Sequence, residues 1–278
     1  MDMGSFDLNQ SRPTSPLIEA IEMESEAEAE EWVRKLLDDG ENPNAQNPDG
    51  GPAPLDVAWV EGRTQIVRML LDAGAVPERT IDFPSFCLMN APFEASELIL
   101  NAGYSFESEI FLNQLGEPMY RGVDPILYRL LRDGSTNDIE RFRPFNILCL
   151  LNVFDELGCT ALHAAARDSE YTNAKWLIEN GADVNAVCEG VIGYTPLDYA
   201  AENCDVSMVQ LLLGAGSNPN IPTWMWLTSL DRAIKELPQN PDARLVYRSL
   251  CTASTKFPAP IYPDGRSPAE WPPPLPKK

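Results

Sequence analysis

Apolar positions along this chain come in paired short bursts, each pair closed by a polar turn, and the pairs recur. In "GCTALHAAARDSEYTNAKWLIENGADVNA", residues 158–186, Leu162 anchors a first helix. Thr160 stands where a hydroxyl hydrogen-bonds the opening turn, and Ala164, Ala165 and Ala166 are small enough to admit a neighbouring helix. Trp176, Leu177 and Ile178 form the apolar side of a second helix. Gly181 supplies the left-handed residue that ends it, and Asp183 and Asn185 favour a turn. The pattern predicts helix, loop, helix, turn.

The same order returns 35 residues on, Leu162 to Leu197, as "GYTPLDYAAENCDVSMVQLLLGAGSNPN", with Pro196 at the first helical position. Further copies are "APLDVAWVEGRTQIVRMLLDAGAVP" (53–77), the more acidic "SPLIEAIEMESEAEAEEWVRKLLDDGENPN" (15–44) and "TSLDRAIKELPQNPDARLVYRSLCTA" (228–253). A period near ~33 residues marks a stacked array, because one such unit cannot bury its apolar face alone. Across 79–157 the pattern diverges. Residues 84–103 keep a second helix and Gly103 but leave little room for a first. Residues 104–123 are expected as an irregular connection, and 124–157 keep a DPIL opening while losing the terminal glycine. The expected organisation is a disordered N-terminus over 1–13, about six to seven repeats over 14–253, and a Pro-rich tail over 254–278.

In residue identity and order these copies resemble consecutive ankyrin repeats. The resemblance implies an all-α solenoid of helix-loop-helix units with short hairpin or turn fingers. It also implies protein recognition, without catalysis, on the concave face lined by the fingers and first helices. The stand-alone build resembles that of filamentous-fungal ankyrin-like proteins.

Charge narrows the partner. Lys plus Arg number 21 against 42 Asp plus Glu, a formal net charge of -21. Such a field repels phosphate backbones and anionic lipid, so neither nucleic acid nor membrane is expected, and a cationic partner, or simply solubility, fits better. "EMESEAEAEE" (22–31) is expected as a solvated face of the first repeat. The longest apolar stretch, "FNILCLLNVF", is too short to span a bilayer, and the start lacks a secretory leader's apolar run. Six cysteines without a CxxC pair read as free thiols in a reducing compartment, cytoplasmic or nuclear rather than secreted.

Little suggests catalysis. The single histidine, His163, occupies the histidine position of the TPLH motif, where the resemblance implies hydrogen bonds between neighbouring turns. Asp56, Asp198 and Asp231 stand at the same motif position. With Glu202 they are the acid/base candidates of an alternative function, a cofactor-independent isomerase or cyclase closing a pocket around a small apolar metabolite. No phosphate loop, dinucleotide fingerprint or zinc spacing is present, so no cofactor and no metal is expected.

The fingers carry the stronger signal. Counting back from Leu230, Trp226 replaces the finger glycine, with Trp224 and Met225 at the tip. The preceding finger offers Val191, Ile192 and Tyr194, and the one before it Leu157. Apolar side chains where polarity is expected mark a binding site, and Trp and Tyr are enriched at hot spots. Behind them the first helices present Arg167 and Asp168, then Tyr199, Glu202 and Asn203, then Arg232 and Lys235. The alternative is that Trp224 and Trp226 fold inward to cap the stack. The tail's "PPLPKK" (273–278) fits a polyproline ligand for an SH3-like reader, or else a tail that is disordered or laid over the last helices.

Overall fold

A computed structural model describes residues 15–45, 52–77, 91–105, 110–112, 118–120, 127–128, 131, 136–155, 157–188, 193–223 and 226–260. The expected N-terminus 1–13 lies outside the described residues, as do 261–278 of the tail. The chain divides into two compact units, Met1–Ser105 and Phe106–Lys278, with the boundary inside the divergent stretch.

In the first unit α1 (Pro16–Ile21) pairs with α2 (Glu26–Asp38), α3 (Pro54–Val60) pairs with α4 (Thr64–Asp72), and α5 (Phe93–Asn101) packs on α4. The proline that opens α1 and α3 suits a position whose N–H would have no helical acceptor. Ser25 caps α2 by accepting from the Glu28 N–H at 3.4 Å. Ala29 and Val33 bury one stripe of α2 while Glu24, Glu26, Glu28 and Glu31 stay exposed, so the acidic run is a solvated face. Trp59 is buried, and its Nε1–H donates to Ser96 Oγ at 3.0 Å, tying α3 to α5. The segment 84–90 lies outside the described residues.

The second unit opens with a short antiparallel ladder, β1 (Ile110–Leu112) on β2 (Pro118–Tyr120), within the segment expected as irregular. Leu127, Tyr128 and Leu131 are buried. α6 (Thr136–Phe142) runs into two 3-10 turns, Arg143–Phe145 and Ile147–Leu150, separated by Asn146 at φ 61°. This stretch joins the first regular repeat through polar contacts. Tyr128 donates its hydroxyl to Asp168 at 2.7 Å, and Trp176 Nε1–H donates to Glu140 at 3.0 Å.

Three helix pairs follow: α7 (Ala161–Arg167) with α8 (Tyr171–Glu179), α9 (Pro196–Glu202) with α10 (Val206–Gly214), and α11 (Ser229–Glu236) with α12 (Ala243–Ser254). First helices pack on first helices, α7 on α9 and α9 on α11; second helices do likewise, α8 on α10 and α10 on α12. Leu162, Leu177, Leu197, Leu212, Leu230 and Leu250 fill the layer between the two rows, and Ala165, Ala200 and Ala201 let the first helices close up.

Asparagines fasten each turn to the next. Asn152 Oδ1 accepts from the Asp183 N–H at 2.8 Å, and Asn185 Oδ1 accepts from the Asn218 N–H at 2.7 Å. Asn220 stands at the same register, ahead of the α11 and α12 pair. Its amide instead donates to the carbonyls of Ser254 at 3.0 Å and Pro258 at 2.8 Å, where α12 ends. No helix among the described residues is long and apolar enough to cross a membrane.

Candidate functional site

Each first helix of the second unit opens with a threonine and, three residues on, a side chain that reaches back. Thr195 Oγ1 accepts from the Asp198 N–H at 3.2 Å, while Asp198 Oδ2 accepts from the Thr195 N–H at 2.8 Å and its hydroxyl at 3.0 Å. Asp231 Oδ2 does the same for Thr228, with both contacts at 2.8 Å. At the first repeat His163 takes this place. Its Nδ1 accepts from the Thr160 N–H at 3.0 Å, so the ring proton sits on Nε2, which donates to the Tyr194 carbonyl at 3.0 Å. In the first unit Asp56 accepts from the Ala53 N–H at 3.2 Å. Of the acid/base candidates, Asp56, His163, Asp198 and Asp231 are therefore capping residues, and Glu202 is not.

Burial deepens that role. His163 is buried, and the loss of water around it lowers its pKa to about 4, against weaker support from the Tyr194 carbonyl. Asp198 is fully buried, and burial pushes its carboxyl up against the opposing pull of the Thr195 N–H and of Arg232. Both are closed off from solvent. Glu202 is half-buried and sits 3.5 Å from Lys235 Nζ.

The structure corrects two expectations about the first-helix face. Arg232, expected on a polar floor open to a partner, is 5% exposed. Its Nε lies 3.4 Å from Asp198 Oδ1 as an ion pair, its Nη2–H donates to Thr223 Oγ1 at 2.8 Å, and its guanidinium lies 3.6 Å from the centre of the Tyr194 ring. Tyr194, expected to protrude from its finger, is likewise buried beneath that guanidinium and packs against Tyr199 with ring centres 4.9 Å apart. The cause is mutual. A carboxylate as deeply buried as Asp198 needs a cation beside it, and the flat arginine needs a flat apolar surface over its other face. Tyr199 is half-buried between Tyr194 and His163, and burial pushes its hydroxyl pKa up.

Other candidates fall at the ends of these helices. Arg167 and Asp168 pair at 2.9 Å where α7 ends, Asn203 donates to the Arg167 carbonyl at 2.8 Å where α9 ends, and Lys235 lies near the end of α11. These ends form one polar row.

Three fingers stand before the three first helices. In the first, the Asp155 N–H donates to the Cys159 carbonyl at 2.9 Å; in the second, Cys188 to Tyr194 at 2.7 Å; in the third, Thr223 to Leu227 at 2.9 Å. The residue just before the returning strand adopts positive φ each time: Gly158 at 72°, Gly193 at 58° and Trp226 at 59°. Counting back from Leu230 had placed Trp226 in the glycine's position, and its backbone takes the glycine's conformation. Trp226 is 47% exposed, with Leu227 beside it at 37% and Leu157 on the first finger at 47%. Leu227 was legible only as a neighbour of Trp226 in "WMWLTSL" and was missed. Val191, Ile192, Trp224 and Met225 lie outside the described residues.

Comparison with known proteins fits this geometry. Residues 122–223 match the family model for ankyrin repeats, in three copies. The chain is 28% identical over 201 residues to the mitochondrial disaggregase of Homo sapiens, a match covering 71% of this chain and 26% of that protein. It is 39% identical over 83 residues to the B-cell lymphoma 3 protein homolog of Mus musculus, covering 30% of this chain and 18% of the other. The chain thus spans about a quarter or less of the length of these relatives. The crystal structure of the human ASB11 ankyrin repeat domain superposes with a TM-score of 0.53 at 19% identity, covering 86% of this chain and 97% of that one, which establishes likeness of fold. Matched repeats over 122–223 and paired helices stacked in the ankyrin manner show that this chain carries ankyrin repeats and has the ankyrin-repeat fold.

Proposed function

We propose that the chain is a non-catalytic protein-binding scaffold that grips a partner with the finger tips at Leu157, Trp226 and Leu227. The polar row of Arg167, Asp168, Glu202, Asn203 and Lys235 frames the contact. Trp226 carries this reading. A tryptophan at positive φ is strained by roughly 1–2 kcal/mol, and one left half in water regains little of that through packing. Strain without compensation inside the fold points to a role outside it, and tryptophan is the residue type most enriched at binding hot spots. A formal charge of -21 favours a partner segment that is basic as well as apolar.

Glycine at this position relieves the strain and removes the anchor together. Trp226→Gly is expected to unfold at a free energy equal to or about 1 kcal/mol above the parent's. Peptides selected from a displayed random library on the parent protein should be rich in Lys, Arg and apolar residues and should bind the variant at least tenfold more weakly by calorimetry. Undiminished binding to Trp226→Gly removes the finger from the site. A loss of several kcal/mol in stability instead makes Trp226 a packing residue.

A further inference from the structure

The junctions between neighbouring fingers are built from equivalent positions. The last residue of one finger's strand pair faces the first residue of the next finger's pair. Between the second and third fingers these are Tyr194 and Thr223, and Arg232 bridges them, its guanidinium on the Tyr194 ring and its Nη2–H on Thr223 Oγ1. Between the first and second fingers the same two positions hold Cys159 and Cys188. No third side chain is needed there, because the sulfur atoms touch: Sγ to Sγ is 2.7 Å, with both cysteines buried and neither in a disulfide. Cys188 also donates its S–H to the carbonyl of Leu157, at the exposed tip of the first finger, at 3.2 Å.

We propose that Cys159 and Cys188 are a reversible oxidation site, closing into a disulfide that staples the first finger to the second. A disulfide brings its sulfurs to about 2.05 Å, so closure from direct contact demands only a small movement of two short side chains. The loop it closes, from 159 to 188, includes α7, α8 and the turn after them, so the bond locks one whole repeat against its neighbour. The oxidant is a small peroxide. One thiolate attacks a peroxide oxygen, giving a sulfenic acid and releasing water after protonation. The touching thiol then displaces water from that sulfenic sulfur, so two thiols and one hydrogen peroxide yield one disulfide and two waters. The neighbouring Cys188 thiol and burial hold the Cys159 pKa up, which makes the first attack the slow step.

The test uses the full chain, whose sequence contains six cysteines. The folded, reduced protein is treated with equimolar hydrogen peroxide, alkylated, digested without reductant and mapped by mass spectrometry. The expected product is a single crosslinked peptide joining residues 159 and 188. Its thermal midpoint should rise by several degrees and return when dithiothreitol is added, as loop closure requires. Comparing oxidised and reduced parent protein needs no variant. Cys159→Ser and, separately, Cys188→Ala should each abolish both the crosslink and the shift, so a folding failure in one leaves the other informative. Scrambled pairings, sulfinic acid at either position without a crosslink, or a crosslink that leaves the midpoint unmoved would each overturn the proposal.

Discussion

Arg232→Ala is expected to lower the free energy of unfolding by about 3–5 kcal/mol, because it strips the counter-charge from a buried carboxylate rather than removing a surface charge. Asp198 is fully buried and Arg232 nearly so, which separates this pair from exposed ones worth less than about 1 kcal/mol. The variant also uncovers the face of Tyr194 and leaves Thr223 Oγ1 without its arginine donor. Urea denaturation at neutral pH measures the loss. The double variant Asp198→Ala, Arg232→Ala should lose less than the two single variants combined, since neither charge is then stranded. The deficit of Arg232→Ala should narrow in acid. Burial already pushes Asp198 above the usual carboxylate range, and without the arginine it climbs further, so the stranded charge is neutralised at a higher pH than in the parent. A deficit below about 1 kcal/mol would remove the clamp as a structural element.

Acid should weaken the fold through His163, the chain's one histidine. Its pKa falls from 6.5 to about 4 in the folded state, so between these values the unfolded chain takes up a proton that the folded protein refuses. Stability from this residue is fully present above pH 6.5, declines as the pH falls, and levels off below about 4, a total of roughly 3 kcal/mol. His163→Gln cannot titrate. It should start below the parent at pH 7, having lost the Nδ1 acceptor, and the gap should close toward pH 4 as the parent alone gives way. Guanidinium unfolding from pH 8 to 4 on both proteins reads this directly. A gap that stays constant with pH would mean that the buried ring exchanges its proton as freely as an exposed one.

What the sequence made legible follows from how local each feature is. Helix pairs could be placed because their leucines, alanines and closing glycines act within one repeat, as Leu162, Ala165 and Gly181 show. Trp226 could be placed because the finger's register is fixed by counting back from Leu230, and a positive-φ site is a backbone property that such counting locates. Tyr194 and Arg232 were misassigned to the partner side because their orientation is decided across repeats. Nothing within reach of Arg232 along its own helix shows that Asp198 lies buried one repeat earlier. The cysteine pair was hidden for the same reason. Without CxxC spacing, contact between Cys159 and Cys188 emerges only when two fingers are laid side by side. The ladder at 110–120 falls where the repeat pattern fails, so register had nothing to count from.

Asn220 gives the array a direction. The side-chain oxygens of Asn152 and Asn185 each accept from the turn that follows, whereas Asn220 is clasped through its amide by the chain that leaves α12. Trimming that stretch would unbutton the stack from its C-terminal margin, and fraying would travel backward one asparagine at a time, reaching the tryptophan finger before any other.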